Sequence, residues 1–72
     1  MRPWWTVKNV NGDEFTINLY MVDCLTKVLV TDGSYRYTLW MLPVSDGAKG
    51  EHVDLPEMEY HRTLGALTEV EG

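Results

Sequence analysis

The sequence is most notable for what it lacks. Cys24 is the only cysteine, so no disulfide can form within the chain. One thiol without a bridge fits a reducing compartment. No stretch approaches the ~20 consecutive apolar residues of a membrane-spanning helix, and the start at Met1–Trp5 has no apolar run behind Arg2, unlike a signal peptide. These absences predict a soluble cytoplasmic protein without a membrane partner.

Basic residues are also scarce. Six Lys and Arg residues stand against eleven Asp and Glu residues, giving a net charge of −5. Residues 1–45 carry four residues of each sign, so the whole net charge falls in residues 46–72. Such asymmetry predicts a neutral packed body followed by an acidic segment, which serves solubility or meets a basic partner.

Residues for chemistry are few and badly spaced. His52 and His61 lie nine positions apart and, with the distant Cys24, match no metal-ligand spacing. Cys24 has no neighbouring base in the sequence to activate it as a nucleophile. The glycines at 12, 33, 47 and 50 are turn glycines without a phosphate-binding pattern. We therefore predict neither catalysis nor a cofactor or metal.

What is present is a series of strand-forming runs. Four segments rich in Val, Ile, Thr and aromatic residues are separated by turn residues, at about 4–10, 14–22, 27–31 and 34–42. They predict one mainly β (α+β) domain whose residues 1–42 form a four-stranded antiparallel meander, which can curl into a small SH3- or OB-like barrel. A mobile loop over 43–53 and an acidic C-terminal segment over 54–72 complete the domain.

The strand registers follow from keeping apolar residues on one face. Although Asn11-Gly12 suggests a two-residue turn, a three-residue loop over 11–13 pairs Trp5 with Leu19 and Val7 with Ile17. A four-residue loop over 23–26 and a two-residue Asp32-Gly33 turn complete the meander. The predicted core face is Trp5, Val7, Phe15, Ile17, Leu19, Met21, Val28, Val30, Tyr35, Tyr37, Leu39 and Met41.

The C-terminal segment contains signals for a short helix. Asp54 is placed as its N-cap, with Pro56 in the first turn and Glu57 three residues after the cap. We predict a helix over about 55–64, whose inward face is Tyr60, Leu64 and Leu67. Gly65 argues against a longer helix, and the alternation from Met58 to Leu64 would also suit a strand.

The opposite face of the predicted sheet carries an unexpected row of apolar and aromatic residues. Trp, Tyr and Arg are the residue types most enriched in interface hot spots. The row therefore predicts a partner-binding surface, unless the C-terminal segment covers it as a second small core. Its members are Trp4, Tyr20, Leu29, Arg36 and Trp40.

These features favour a non-enzymatic protein-binding module. Short acidic chains of this kind are frequent among phage and mobile-element proteins that inhibit or redirect host machinery. The expected partner is a host protein with a basic surface, such as RNA polymerase or a nuclease, approached with steering by Asp54, Glu57 and Glu59. Alternatives are a barrel that binds single-stranded nucleic acid, and a subunit that oligomerises through a sheet edge at 34–42. The chain is expected to be a monomer or a weak dimer.

Overall fold

The computed structural model describes residues 3–43 and 50–71. Within these residues the chain is mainly β with one C-terminal helix, as predicted. It has five strands, one more than the four predicted. The elements are β1 (Trp4–Lys8), β2 (Glu14–Asn18), a 3₁₀ helix (Leu19–Met21), β3 (Val22–Leu29), β4 (Tyr35–Met41), β5 (His52–Leu55) and α1 (Glu57–Glu71). No helix of the described residues is both long and apolar enough to cross a membrane.

The strands form two antiparallel sheets instead of one four-stranded meander. Among the described strands, β1 pairs with β2 alone, and β3, β4 and β5 form a second sheet with β4 in the centre. The described residues therefore form no closed barrel. The predicted free edge at 34–42 is wrong, because β4 is hydrogen-bonded on both sides.

The first hairpin keeps the predicted faces although its register is displaced. Trp5 pairs with Ile17 and Val7 with Phe15. The Asn9 N–H donates to the Asp13 carbonyl over 2.9 Å, so the loop has three residues, as predicted, but begins one residue earlier. Gly12 ends this loop with φ of +90°, a left-handed conformation that favours glycine. Because the pairing is displaced by two residues, each side chain keeps its predicted face.

The predicted loop over 23–26 is wrong. The chain turns earlier, in the 3₁₀ helix, where the Asn18 side chain accepts a hydrogen bond from the Tyr20 N–H over 2.9 Å. The Leu19 N–H also donates to the Pro3 carbonyl, and the Leu19 side chain is buried. Residues 23–26 are instead part of β3.

The second hairpin differs from its predicted register by one residue. The Val30 N–H donates to the Ser34 carbonyl, and Gly33, at φ of +88°, ends a three-residue loop in place of the expected two-residue turn. Leu25 consequently pairs with Leu39. A slip of one residue reverses the faces of a strand. Val28 and Val30 therefore lie away from the core, contrary to prediction.

The C-terminal part begins with β5, whose first residues had been predicted to belong to a loop over 43–53. Residues 44–49 of that loop lie outside the described residues, and the prediction is wrong for His52 and Val53, which begin β5. Asp54 pairs with Thr38 in the β4–β5 ladder, so it is not the helix N-cap. The helix starts at Glu57 and continues through Gly65 to Glu71, well past the predicted end.

The core lies between the two sheets and α1. Its buried apolar residues are Val7, Ile17, Leu19, Tyr37, Leu39, Leu55 and Ala66, with Trp5, Val22, Leu25, Met41, Val53, Tyr60 and Leu67 packed around them. The inward helix face was predicted correctly at Tyr60 and Leu67 but wrongly at Leu64, which is exposed. The predicted core residues Phe15, Met21, Val28 and Tyr35 are likewise exposed.

Candidate interaction face

The three-stranded sheet has one covered face and one open face. On the covered face, the Tyr37 ring packs against Tyr60 of α1 in a tilted arrangement, with ring centroids 4.6 Å apart. Side chains alternate between the faces of a strand. The strand pairings therefore place the following residues together on the opposite side, called here the outer face: Cys24, Thr26, Val28, Arg36, Thr38, Trp40, His52 and Asp54.

Trp40 is the largest side chain of the outer face. Its indole N–H donates to the Thr26 hydroxyl over 3.0 Å, and its ring lies 4.9 Å from the His52 imidazole, centroid to centroid. The indole nevertheless remains 37% exposed. Its orientation is held by two neighbouring strands, which lowers the entropy lost when a partner packs against it.

The centre of the outer face is polar and internally hydrogen-bonded. The buried Thr38 hydroxyl donates to the Asp54 carboxylate over 3.0 Å. This bond joins β4 to β5 across the face and fixes the position of the carboxylate. Asp54 is half-buried and retains further acceptor capacity for a hydrogen-bond donor from a partner.

A shallow groove of 430 Å³ runs over the outer face. Four predicted site residues line it together: Leu29, Arg36, Trp40 and Asp54. With Val28, which also lines it, the groove combines a guanidinium, an indole, an aliphatic side chain and a carboxylate. Such a mixture can bury apolar surface and bind polar groups of a protein partner at the same time.

The complete predicted row is not assembled. Trp4 lies in the other sheet, where it pairs with Asn18 and is 61% exposed, and Tyr20 lies in the 3₁₀ helix and is 63% exposed. Arg36 pairs with Val28, so the next residue, Leu29, points to the opposite face of β3. Leu29 lines the groove only at the end of the strand. The row is divided because the chain turns at Leu19–Met21 and because the second hairpin differs from its predicted register by one residue.

Glu59, one of the predicted steering acids, makes contacts within the protein. Its Oε1 accepts the Lys8 N–H over 2.8 Å, and both of its oxygens accept from Arg62. The Arg62 side chain lies over the Trp5 ring, 4.3 Å from its centroid, and donates to the Thr6 carbonyl. The hydrogen bonds from Arg62 and then from Lys8 lower the pKa of Glu59. This pair fastens α1 to the edge of β1.

Glu57 is the exposed member of the two helix acids. It accepts the Tyr37 hydroxyl over 3.1 Å and lies 3.8 Å from His61. Burial, followed by the bond to Glu57, raises the pKa of Tyr37. Glu57 lies at the start of α1, where the helix dipole favours a negative charge.

Sequence reasoning missed four contributors to the outer face: Cys24, Thr26, Val28 and His52. Cys24 and Thr26 were placed in a loop, Val28 on the core face and His52 in the mobile segment. The alternation in His52–Leu55 was the available signal for β5, but four residues are too few to separate a strand from a loop. Among the described residues, no group of three or more His, Cys, Asp or Glu side chains could hold a metal ion.

No protein-family model matches the chain, and no curated protein sequence or solved structure matches it significantly. The function of the outer face is therefore inferred from its own residues.

Proposed function

We propose that this chain is a non-enzymatic, cytoplasmic protein-binding module that engages its partner through the outer face. The observation that carries the proposal is the open groove with Trp40 and Arg36 at its surface. Trp and Arg are over-represented among residues that dominate binding energy. The indole is already held by Thr26 and His52, so docking requires little reorganisation.

The net charge supports a larger, nucleic-acid-handling complex as the partner. A chain of net charge −5 is attracted to basic surfaces, and complementary charge increases both association rate and selectivity. RNA polymerase and nuclease complexes present such surfaces, because they bind phosphates with Lys and Arg. In this proposal the module, encoded by a phage or mobile element, inhibits or redirects that complex. Glu57, at the start of α1, contributes an exposed negative charge.

The decisive experiment is affinity capture from a bacterial lysate with Arg36→Glu compared with the unmodified chain. Arg36 is exposed, so its substitution should leave the fold intact. We expect a protein captured by the unmodified chain to fall at least tenfold with Arg36→Glu, measured by quantitative mass spectrometry. Purified partner and titration calorimetry would then give the affinity difference directly.

Thr16→Glu is the control. It adds a negative charge at an exposed residue of β2, in the other sheet, where the facing residue is the uncharged Thr6. Equal losses with both variants would point to net charge alone and contradict a contact at the outer face. Retention with both would place the contact elsewhere on the molecule.

Binding of single-stranded nucleic acid is the competing function. An indole on a sheet face beside an arginine is suited to base stacking and phosphate binding. Asp54 lies in the same groove, however, and the chain is acidic overall, which opposes phosphates. We expect no retention on single-stranded DNA or heparin columns at low salt. Tight, salt-sensitive retention would favour the nucleic-acid function over the protein partner.

A further inference from the structure

The outward edge of β3 is the longest unpaired strand edge among the described residues. β3 spans eight residues, Val22–Leu29, and β4 is its only hydrogen-bonded neighbour within residues 3–43 and 50–71. Hydrogen-bonded pairs alternate along an antiparallel ladder, and Val30 bonds to Ser34. The backbone groups of Leu25, Lys27 and Leu29 therefore point away from β4. Such an edge is a template for another strand.

The sequence of β3 is self-complementary about Leu25. When β3 is written antiparallel to itself with Leu25 at the centre, Cys24 lies opposite Thr26, and Asp23 lies opposite Lys27. Asp23 and Lys27 are both exposed, and Asp23 has no partner on β4, because the ladder shifts between Val22 and Cys24.

Other registers lack this match. Centring the pair on Lys27 would place two like charges opposite each other, which destabilises a sheet. Centring it on Thr26 would place Lys27 opposite Leu25. Only the Leu25 register satisfies both charges, and the two-fold symmetry doubles each favourable contact.

We infer that this chain forms a symmetric dimer in which two β3 strands pair antiparallel about Leu25. The result is a continuous six-stranded sheet, with Asp23 of each copy beside Lys27 of the other.

The dimer has a consequence for recognition. Residues directly opposite each other in a sheet share a face, so both outer faces lie on the same side of the six-stranded sheet. Two copies of the Trp40–Arg36 groove are then presented together. The dimer itself does not depend on the proposed partner, but it would make that contact bivalent and raise its avidity.

Charge exchange provides the main test, read by sedimentation of the full chain over a range of concentrations. The unmodified chain should reach twice its 8.3 kDa mass. Lys27→Asp should weaken the dimer by roughly 10- to 30-fold, because two attractive pairs become two repulsive ones. Adding Asp23→Lys to Lys27→Asp should restore it. A monomeric chain at all concentrations would overturn the inference.

Two further outcomes would also overturn it. A dimer insensitive to Lys27→Asp would place the contact elsewhere, and a double variant that stays monomeric while folded would exclude this register. Circular dichroism of each variant separates loss of pairing from loss of fold.

Crosslinking tests the register independently. In the Leu25 register, Cys24 and Thr26 of the second copy form a non-hydrogen-bonded pair with Cα atoms about 4.5 Å apart, within the range for a disulfide. Thr26→Cys should therefore give a covalent dimer under mild oxidation. Thr31→Cys, in the exposed second hairpin loop, is the control and should not. Equal crosslinking of both variants would contradict the register.

Discussion

The two faces of the three-stranded sheet are built from the same strands but differ in burial. On β4, Tyr37 and Leu39 point inward and are buried under α1, whereas Arg36 and Trp40 point outward into the open groove. Thr38 also points outward but is buried by its contact with Asp54. If the outer face binds a partner as proposed, stability and recognition depend on alternate residues of one strand, so each can change with little effect on the other.

The largest expected difference is between neighbours on opposite faces. Leu39 is fully buried, so Leu39→Ala should lower the free energy of unfolding by about 2–5 kcal/mol through lost burial and a cavity. Arg36→Ala should change it by less than about 0.5 kcal/mol. Urea denaturation followed by circular dichroism measures both. Similar losses would show that the outer face also carries the fold.

A smaller effect is expected where the helix is fastened to the covered side. Glu59→Gln removes the charge that binds Arg62 and the Lys8 N–H, so it should cost about 1–2 kcal/mol at neutral pH. Glu57→Gln, two residues away and exposed, is the control and should cost less.

The Glu59 contribution should also depend on pH. Because the folded pKa of Glu59 lies below its ordinary value of 4.5, its stabilisation is present above pH 4.5. It is lost as the pH falls through the lowered folded pKa, where the carboxylate becomes protonated. The stability difference between the unmodified chain and Glu59→Gln should therefore shrink in acid. A difference that stays constant down to low pH would contradict the charged contact.

The smallest predicted effect is a gain. Gly65 lies within α1, and a Cβ atom there would meet nothing within 4 Å beyond its chain neighbours and the backbone of its own helix. Gly65→Ala should raise the free energy of unfolding by about 0.5–1 kcal/mol, because alanine favours the helix. Gly50→Ala offers the opposite case, since its Cβ would clash with the Met41 carbonyl. Thermal melts distinguish the two signs. Partner capture by Gly65→Ala should remain unchanged.

The two hairpins explain why the sequence predicted one part of the fold and missed another. Both contain a dipeptide that suggests a two-residue turn, Asn11-Gly12 and Asp32-Gly33, and both adopt three-residue loops that end at the glycine. In the first hairpin the apolar pattern excluded the shorter loop. In the second, Val28 and Leu29 are adjacent, so either register placed an apolar side chain inward. The predicted register of the second hairpin was wrong by one residue, so the prediction placed the wrong face of β3 against the core.

The candidate site was predictable in its residue types but not in its arrangement. Leu29, Arg36, Trp40 and Asp54 do meet in one groove. Trp4 and Tyr20 do not join them, because the turn at Leu19–Met21 separates β2 from β3. The sequence around this turn contains no Gly or Pro from which the turn could be predicted. The turn is stabilised by the Asn18 side chain, which accepts a hydrogen bond from the Tyr20 N–H.

The sequence by itself determined the mainly β character, the antiparallel hairpins, the inward face of β1, β2 and β4, and a helix near the C-terminus. Each of these follows from local alternation, turn residues or helical spacing, which act over a few residues. Tertiary structure alone decided the division into two sheets, the pairing of β5 with β4 and the length of α1. These depend on contacts between distant residues, such as Trp5 with Thr63 and Lys8 with Glu59, whose energies no local pattern contains.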